Sequence, residues 1–540
     1  MMDTQLSLVS LIERAEKFFP NKEIISRTHT GIFRYNYREM AKRTRALSSV
    51  LTKLGVKKGD RVGTFAWNHH RHLEAYFGIP AIGAVLHTIN IRLSTEHISY
   101  IINHAEDKVL LIDIDLLPII EKIKDDLKTV KAFIVMSDDY DIPSSSLKPL
   151  YSYESLINEG DENFQFSQNI EENDPAGLCY TSATTGLPKG VLYSHRGIVL
   201  HCLTAGHADT LALSEKDRML PVVPMFHVNA WGIPFATTWF GSTQVYPGPN
   251  MTPTIIADLI EKEKVTITAG VPTIWLGLLK VLEEGKHNLE SLRALISGGA
   301  PAPMEMIRKF EITYGIPFLH AYGMTETSPL VTVSRLKSYQ EDLSAEEKLK
   351  YKATQGLLVP CLKVKAVDDE GKEIPFDGKS YGEMLLQGPW IADSYYKDDR
   401  TKDAFVDGWL KTGDVVTIDE EGFIKIVDRT GDLIKSGGEW ISSVDLENGL
   451  MAHESVSEAA VVAVPHEKWQ ERPVAFVALR PEARVSKEDL LYFLEKHLKF
   501  ARWWLPDEIF FIEEIPKTSV GKFLKRELRE KAKYMMTTQQ

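Results

Sequence analysis

Tyr180-Thr-Ser-Ala-Thr-Thr-Gly-Leu-Pro-Lys-Gly-Val191 is the stretch around which the rest of the chain is organised. Short apolar runs, 176–180 and 191–193, flank it, so the pattern predicts a strand, a polar loop and a second strand. Its glycines allow backbone N–H groups to approach an anion closely, and its hydroxyls and lysine supply further donors. The stretch therefore predicts a phosphate-binding loop. It is not a Walker A loop, because the spacing G-x-x-x-x-G-K-[ST] cannot be fitted to it.

The composition is that of a globular protein of more than one domain. The chain has 540 residues, of which 44% are hydrophobic and 26% charged, and its net charge is −12. The negative charge disfavours nucleic acid as a partner and leaves at most a peripheral contact with membranes. Cys179, Cys202 and Cys361 show neither metal-ligand spacing nor a disulfide framework, so we expect a reducing, cytoplasmic location. No apolar run reaches the ~18 residues of a transmembrane helix.

The hydrophobic periodicity predicts an α/β protein. From Arg61 onward, short apolar runs alternate with amphipathic ones, which is typical of parallel sheets covered by helices on both faces. From Lys363 the pattern changes to short strands between Gly and Asp turns, which predicts a small β subdomain. After the polar junction Asp428-Arg-Thr-Gly-Asp432, about 110 residues are enough for a small α+β domain. We find no internal repeat. The predicted organisation is a large domain at 1–427, a hinge at 428–433 and a small mobile domain, the lid, at 434–540.

The loop resembles the phosphate-binding signature of the adenylate-forming (AMP-binding) superfamily, which includes acyl-CoA synthetases, firefly luciferase and the adenylation domains of peptide synthetases. The superfamily usually has glycine where this chain has Ala183, whose methyl group would narrow the loop. Further stretches match in order and approximate spacing. They are Gly298-Gly-Ala-Pro301, Tyr322-Gly-Met-Thr-Glu-Thr327, Thr412-Gly-Asp414 with Arg429, Pro516-Lys-Thr-Ser-Val-Gly-Lys522 and Ser436-Gly-Gly-Glu-Trp-Ile-Ser-Ser-Val-Asp-Leu-Glu447. The last favours the bacterial medium- and long-chain fatty acyl-CoA synthetases.

The resemblance implies a nucleotide site. Tyr322 offers an aromatic face for adenine, and Thr325 offers a hydroxyl to the α-phosphate. Glu326, with Thr184, is the expected ligand of Mg²⁺, a cation that otherwise stays on phosphate oxygens and water; the alternative for Glu326 is a structural ion pair. Asp414 can accept hydrogen bonds from both ribose hydroxyls, and Arg429 can reach the same sugar from the opposite side. The full set of implied ATP- and AMP-binding residues is Thr181, Ser182, Thr184, Thr185, Gly186, Lys189, Gly298, Gly299, Ala300, Pro301, Ala321, Tyr322, Gly323, Met324, Thr325, Asp414, Arg429, Lys435 and Lys522.

Lys522 matches the lysine that bridges substrate carboxylate and triphosphate in the superfamily. Those two groups repel each other, so their charges must be neutralised before the carboxylate oxygen can attack in line. Lys517 and Lys525 are nearby competitors, but Lys522 alone follows the glycine of the motif. The basic run from Lys517 to Lys533 is otherwise interpreted as a solvated helix face.

The stretch Phe226-His-Val-Asn-Ala-Trp231 indicates the substrate class. Amino-acid-activating relatives have an aspartate after this phenylalanine, and here the position is His227. A buried ammonium without a carboxylate would be costly, so α-amino acids are disfavoured. Trp231 either gates an acyl tunnel or is an ordinary core residue. The implied acyl-binding residues are His227, Val228, Trp231, Gly299 and Gly323, and the implied catalytic residues are Lys522, His227, Thr184 and Glu326.

The predicted function is an ATP-dependent acid–thiol ligase for a medium- to long-chain fatty acid. The acid is converted to acyl-adenylate with release of pyrophosphate, and the acyl group then passes to CoA with release of AMP. Gly437, Gly438, Glu439 and Trp440 are the implied CoA-binding residues, and Gly431 is the expected pivot of the hinge. The alternatives are a fatty acyl-AMP ligase, a CoA ligase for a short-chain or aromatic acid, and a catalytically inactive sensor. The resemblance also implies a homodimer.

Overall fold

The structure of the protein is a computed structural model that describes residues 2–181, 186–437, 439–518 and 523–538, apart from the side chains of 439, 537 and 538. Strands and helices alternate through these residues. The strands are β1 (Glu23–Arg27), β2 (Ile32–Asn36), β3 (Arg61–Phe65), β4 (Val85–Thr88), β5 (Asp107–Asp113), β6 (Ala132–Met136), β7 (Leu150–Ser152), β8 (Pro175–Tyr180), β9 (Gly190–Ser194), β10 (Arg218–Pro221), β11 (Thr243–Tyr246), β12 (Ile267–Gly270), β13 (Ala294–Ser297), β14 (Phe318–Gly323), β15 (Leu330–Val333), β16 (Leu357–Leu358), β17 (Lys363–Val367), β18 (Gly382–Gln387), β19 (Phe405–Val406), β20 (Trp409–Ile418), β21 (Ile424–Arg429), β22 (Ile434–Ser436), β23 (Glu439–Ile441), β24 (Val456–His466), β25 (Gln470–Leu479) and β26 (Glu508–Phe511).

The helices lie mostly between consecutive strands. The α-helices are Leu8–Phe18, Tyr37–Lys53, His70–Gly78, Thr95–Ala105, Leu117–Ile123, Tyr153–Glu159, His195–Gly206, Ile233–Phe240, Pro253–Lys262, Pro272–Glu283, Met304–Arg308, Ala345–Lys352, Thr401–Ala404, Ser443–Met451, Lys487–Tyr492 and Lys525–Thr538. Among these described segments, no helix is long and apolar enough to span a membrane.

Two large sheets form the body of the molecule. One has the strand order β7-β6-β5-β3-β4-β8-β9, and the other β16-β15-β14-β13-β12-β10-β11-β1-β2. In both sheets, five neighbouring parallel strands lie beside a sixth parallel strand, which forms an antiparallel hairpin with the next strand. The hairpin is β8–β9 in the first sheet and β1–β2 in the second. The sheets therefore repeat one plan, with β3 to β7 corresponding to β10 to β14. We find no internal sequence repeat that corresponds to this structural repetition.

The core is arranged in layers because both faces of each large sheet are covered. The main cluster of buried residues lies between the sheets and includes Val62 and Leu86 of one and Ile267 and Ile296 of the other. Separate clusters lie on the outer face of each sheet. Parallel strands buried on both faces are continuous apolar runs, as Val109-Leu-Leu-Ile112 illustrates. The predicted α/β class is confirmed.

Two smaller sheets follow. Strands β17 to β21 form a five-stranded sheet, the small β subdomain predicted from the sequence. Strands β22 to β26 form another five-stranded sheet, which has its own buried clusters around Ile434 and Phe476. A large N-terminal domain is thus followed by a small α+β domain with a separate core.

The predicted alternation of strands and helices is largely confirmed, with differences that include one helix of the first sheet and the C-terminal basic run. The spacing of apolar residues from His69 to Ala84 predicts one helix, but this helix ends at Gly78, because Pro80 has no N–H to continue the hydrogen-bond ladder. The basic run at the C-terminus is not simply a solvated face. Lys525 donates to Glu447 at 2.7 Å, and Arg529 pairs with Asp432.

Candidate active site

The hairpin β8–β9 fixes the ends of the predicted phosphate loop. Thr181 N–H donates to Lys189 O at 2.9 Å, and Lys189 N–H donates to the Thr181 hydroxyl at 3.1 Å. Gly186 adopts φ 73°, a left-handed conformation that glycine takes without strain. The predicted phosphate ligands Ser182, Thr184 and Thr185, with Ala183, lie outside the described residues.

A hydrogen-bonded chain joins this loop to the predicted magnesium ligand. The Lys189 ammonium donates to the Tyr395 hydroxyl at 2.9 Å and lies 4.1 Å from the centre of its ring. Tyr395 in turn donates to Glu326 Oε1 at 2.6 Å. Burial lowers the pKa of Lys189, and burial together with Glu326 raises the pKa of Tyr395. The phenol therefore stays protonated at neutral pH and acts as the donor to Glu326.

Sequence reasoning missed three residues of this region. They are Tyr395; Arg400, whose guanidinium donates to Leu187 O at 3.0 Å; and Tyr193, whose hydroxyl donates to Thr325 O at 2.8 Å. Tyr193 belongs to β9 of one large sheet, and Thr325 follows β14 of the other. The site therefore lies where the two sheets meet. The partners are up to 213 residues apart in the chain, so no local pattern could have signalled them.

The glycines of the loop after β13 are required by close approach. Ser297 at the end of β13 is paired with His320 of β14, so the loops that follow lie side by side. A Cβ at Gly298 would lie 2.8 Å from Ala321 O and 3.1 Å from the Trp231 ring, and Gly299 has φ 80°. Ala300 and Pro301 complete this loop. The structure thus brings Gly298 against Ala321. That the two loops belong to one binding site stays a prediction.

Asp414 and Arg429, the predicted ribose clamp, lie together and contact Tyr322, the predicted adenine-binding residue. Arg429 Nε lies 2.7 Å from Asp414 Oδ1, and the Tyr322 hydroxyl donates to Asp414 Oδ2. Asp414 is 2% exposed. Its charge raises the pKa of Arg429, whereas burial and then Asp414 raise the pKa of Tyr322. A buried carboxylate held by two donors is ready to accept hydroxyl protons from a sugar. Gly323 and Met324 continue the strand and loop beyond Tyr322.

The predicted acyl side is built on a left-handed turn. Val228, Asn229, Ala230 and Trp231 have φ between 46° and 59°, and Gly232 follows with φ 70°. Left-handed backbone costs a non-glycine residue roughly 1–2 kcal/mol, so this turn must be stabilised by its surroundings. The buried Asn229 side chain anchors it by accepting hydrogen bonds from the Thr88 hydroxyl at 3.2 Å and from the Cys179 thiol at 3.3 Å.

The turn places Trp231 against the glycine loop. The ring lies beside Gly298 and Gly299, and the residue is only half-buried. His227 precedes the turn, and its N–H donates to Pro224 O at 2.9 Å. Trp231 thus contacts the predicted nucleotide loop and is accessible from outside. This position fits a gate, and the gate stays a prediction.

The lid residues are described in part. The Lys435 ammonium lies 4.1 Å from the centre of the Trp440 ring and 3.6 Å from Asp369, and Gly437 N–H donates to Trp469 O at 2.9 Å. Gly438, the Glu439 side chain and Lys522 lie outside the described residues. Both competitors of Lys522 have carboxylate partners in the lid, Lys517 with Glu458 at 2.6 Å and Lys525 with Glu447 at 2.7 Å.

Two family models match the chain. The model of AMP-binding enzymes matches residues 12–396, and the model of the AMP-binding enzyme C-terminal domain matches residues 445–522. The sequence is 52% identical to a long-chain-fatty-acid–CoA ligase of Thermus thermophilus, over 99% of this chain and 97% of the relative. It is 44% identical to a medium-chain-fatty-acid–CoA ligase of Ectopseudomonas oleovorans, over 98% and 97%. The crystal structure of the anthranilate CoA ligase AuaEII with anthranoyl-AMP superposes with a TM-score of 0.88 at 26% identity and covers 99% of both chains.

Proposed function

The chain belongs to the family of AMP-binding enzymes, and from this premise we propose that it is a fatty acid–CoA ligase. One observation carries the proposal. The predicted ribose clamp at Asp414 and the chain from Lys189 to Glu326 both end on the segment 322–326, which Tyr193 of β9 also contacts. This convergence suits a nucleoside triphosphate beside a carboxylic acid. The two similar ligases at 52% and 44% identity support a medium- to long-chain acid.

In the first step the fatty acid carboxylate attacks the α-phosphorus of ATP, and pyrophosphate leaves. No general base is needed, because a carboxylic acid is already ionised at neutral pH. Asp414 and Arg429 hold the ribose, Tyr322 lies against the adenine, and the phosphate loop with Lys189 holds the phosphates. Lys522 joins the incoming carboxylate to the triphosphate. The pairing of Lys517 and Lys525 within the lid supports Lys522 for this role.

In the second step the CoA thiol attacks the carbonyl carbon of the acyl-adenylate. The thiol loses its proton, the acyl–phosphate bond breaks and AMP leaves. His227 lies before the left-handed turn, where it can face the path between acyl carbonyl and thiol. We assign Gly437, Gly438, Glu439 and Trp440 to the passage of CoA.

Mg²⁺ fits the residues of this site. Glu326 supplies a buried carboxylate oxygen, the ligand type that Mg²⁺ prefers. In the described part of the chain, no group of three or more His, Cys, Asp or Glu side chains could hold a metal, which agrees with a cation held mainly by phosphate oxygens and water. Glu326 and Thr184 would hold it. The ion supplies positive charge against the triphosphate.

The remaining expectations are parts of the same proposal. We place the domain boundaries at 1–427, 428–433 and 434–540, with Gly431 as the pivot. We expect a homodimer in the cytoplasm.

The test is a set of initial rates with straight-chain acids from acetate to palmitate and with aromatic acids, each with ATP and magnesium. Pyrophosphate release and acyl-CoA formation are measured separately. We expect both products with acids of medium to long chain. Pyrophosphate without acyl-CoA would identify a fatty acyl-AMP ligase. A preference for acetate or for aromatic acids would identify a CoA ligase for a short-chain or aromatic acid. If no acid supports pyrophosphate release, the protein is a catalytically inactive sensor.

A further inference from the structure

The side chain at the start of the predicted phosphate loop is held from outside the loop. Tyr180, the last residue of β8, is paired with Gly190, the first residue of β9, so the two ends of the loop meet at this pair. A Cβ at Gly190 would lie 3.1 Å from Cζ of the Tyr180 ring. Tyr180 is 7% exposed, and its hydroxyl lies 2.8 Å from Nδ1 of His104. A side chain of the helix Thr95–Ala105 therefore fixes this hydroxyl.

His104 is a neutral acceptor for the tyrosine hydroxyl. Burial lowers the pKa of His104, and the backbone of Lys397 opposes that shift without reversing it. The imidazole is therefore mainly uncharged at neutral pH, and an uncharged ring has one nitrogen that accepts a hydrogen bond. Tyr100 stacks on the ring at 5.2 Å between centres, and Tyr396 meets it edge-on at 5.6 Å. Two aromatic neighbours thus hold the imidazole in place.

The residue that meets His104 edge-on also borders the other end of the loop. Tyr396 N–H donates to Gly190 O at 2.8 Å. Its neighbour Tyr395 accepts from the Lys189 ammonium at 2.9 Å. The imidazole therefore contacts both the side chain that precedes the loop and the segment that holds the residues at its end.

We propose that His104 is a positioning residue for the predicted phosphate loop, acting through Tyr180 before the loop and Tyr396 beside its end. The inference rests on the proposed function, in which this loop holds the triphosphate of ATP. The helix of His104 packs in the outer core of the seven-stranded sheet and is not part of the hairpin. It therefore holds the ends of the loop against the body of the domain. This hold matters in the first step, when the β- and γ-phosphates are bound.

The two half-reactions, measured separately, test the inference. The first is pyrophosphate release from ATP, magnesium and decanoate, recorded as initial rates at varied ATP. The second is acyl-CoA formation from supplied decanoyl-adenylate, which has no β- or γ-phosphate. His104→Leu removes the acceptor and keeps an apolar side chain between the aromatic neighbours. We expect kcat/KM for ATP in the first half-reaction to fall roughly twofold to tenfold, as for loss of one hydrogen bond. The second half-reaction should match that of the parent protein.

Matched variants separate positioning from folding. His104→Asn keeps an acceptor, because the Asn carbonyl oxygen is attached to Cγ as Nδ1 is, and it should retain most of the activity. Tyr180→Phe removes the donor and should lower kcat/KM as much as His104→Leu. The double variant should be no worse than either single variant, since both changes remove the same hydrogen bond. His97→Leu, about two turns earlier in the same helix, is the control and should match the parent protein.

Each outcome decides for or against the inference. Equal losses in both half-reactions, or in His104→Asn and His104→Leu, would show a role in folding alone and overturn it. So would losses that multiply in the double variant, or an unchanged first half-reaction in His104→Leu. Melting temperatures show which variants fold, and Tyr180→Phe replaces His104→Leu if the latter does not. If the parent protein releases no pyrophosphate with any acid, the proposed function fails. The affinities of the same variants for ATP, measured by calorimetric titration, then decide the inference.

Discussion

At the scale of single residues, Tyr395 connects Lys189 and Glu326, the two groups that we propose act on the same triphosphate. Its hydroxyl accepts from Lys189 and donates to Glu326, and its ring lies under the lysine ammonium. Without this hydroxyl, a buried carboxylate would lose a donor and a partly buried cation would lose an acceptor. Hydrogen bonds to charged groups contribute about 1.5–3 kcal/mol.

Tyr395→Phe should therefore slow pyrophosphate release while leaving the fold intact. The ring and its contact with Lys189 remain, so only the hydrogen bonds are tested. We expect adenylation to fall by a factor of about 10 to 100, measured as the single-turnover rate at saturating ATP. Tyr396→Phe is the neighbouring control, because Tyr396 packs on His104 instead. Equal rates for Tyr395→Phe and the parent protein would show that the bridge does not position Glu326.

Lys522→Ala should abolish most adenylation and spare thioester formation from supplied acyl-adenylate. The bridging cation is needed only while carboxylate and triphosphate are both present, and loss of such a group typically reduces the rate ~10²–10³-fold. Both half-reactions are assayed separately. Lys531→Ala, at an exposed position in the same domain, serves as the control. Equal damage to both half-reactions would contradict the assignment.

At the scale of elements, the left-handed turn 228–231 combines a strained backbone with a functional position. Its four residues have positive φ, and its anchor is the side chain of Asn229 on two strands of the neighbouring sheet. Strain of this kind persists only where the surroundings enforce it, and it is concentrated at binding sites. The turn presents the half-buried Trp231 to the loop 298–299.

Trp231→Ala should change the chain-length profile more than the stability. A fully buried tryptophan cut to alanine typically costs ~3–5 kcal/mol of unfolding free energy, and we expect a smaller loss for a half-buried one. Trp275→Ala is the matched control, because Trp275 is 0% exposed in the outer core of the nine-stranded sheet. Rates across acids and denaturant unfolding are measured for both variants. A large stability loss with an unchanged profile in Trp231→Ala would identify a core residue.

At the scale of the whole molecule, the proposed reaction cycle requires the small domain to change its orientation relative to the large domain. Lys522 and Trp440 both belong to the small domain but are assigned to different steps. A rigid lid cannot present both to one site at once. The junction 428–433 is the link about which the lid would turn.

Gly431→Pro should trap one orientation, because proline fixes φ near −65°. We expect one half-reaction to survive and the other to fall sharply, when pyrophosphate release and thioester formation are timed separately. Gly431→Ala is the control, because it adds a side chain without fixing φ. Gly431 does not have positive φ, and an added Cβ meets nothing within 4 Å. Normal rates of both half-reactions in Gly431→Pro would place the pivot elsewhere.

Local patterns predicted much of the fold and part of the site. The apolar run at 109–113 predicts a strand, which forms as Asp107–Asp113, and the amphipathic spacing at 254–263 predicts a helix, which forms as Pro253–Lys262. Both follow from the spacing of apolar residues along a few turns or pleats. The proximity of Asp414 and Arg429 could be predicted, because both residues lie in short motifs near one junction. Contacts such as Tyr395 with Lys189 were not found, because they join residues 206 apart.

The sequence alone determined the α/β class, the two strands on either side of the loop 181–189 and the absence of a carboxylate after Phe226. Each depends on neighbouring residues, whose backbone preferences and burial are set locally. Only the tertiary structure decided that Tyr395 joins Lys189 to Glu326 and that Asn229 holds a left-handed turn. It also revealed that the two large sheets share one strand order. These contacts join segments that are far apart in the chain. They produce no periodic pattern in the local sequence, so the sequence alone could not predict them.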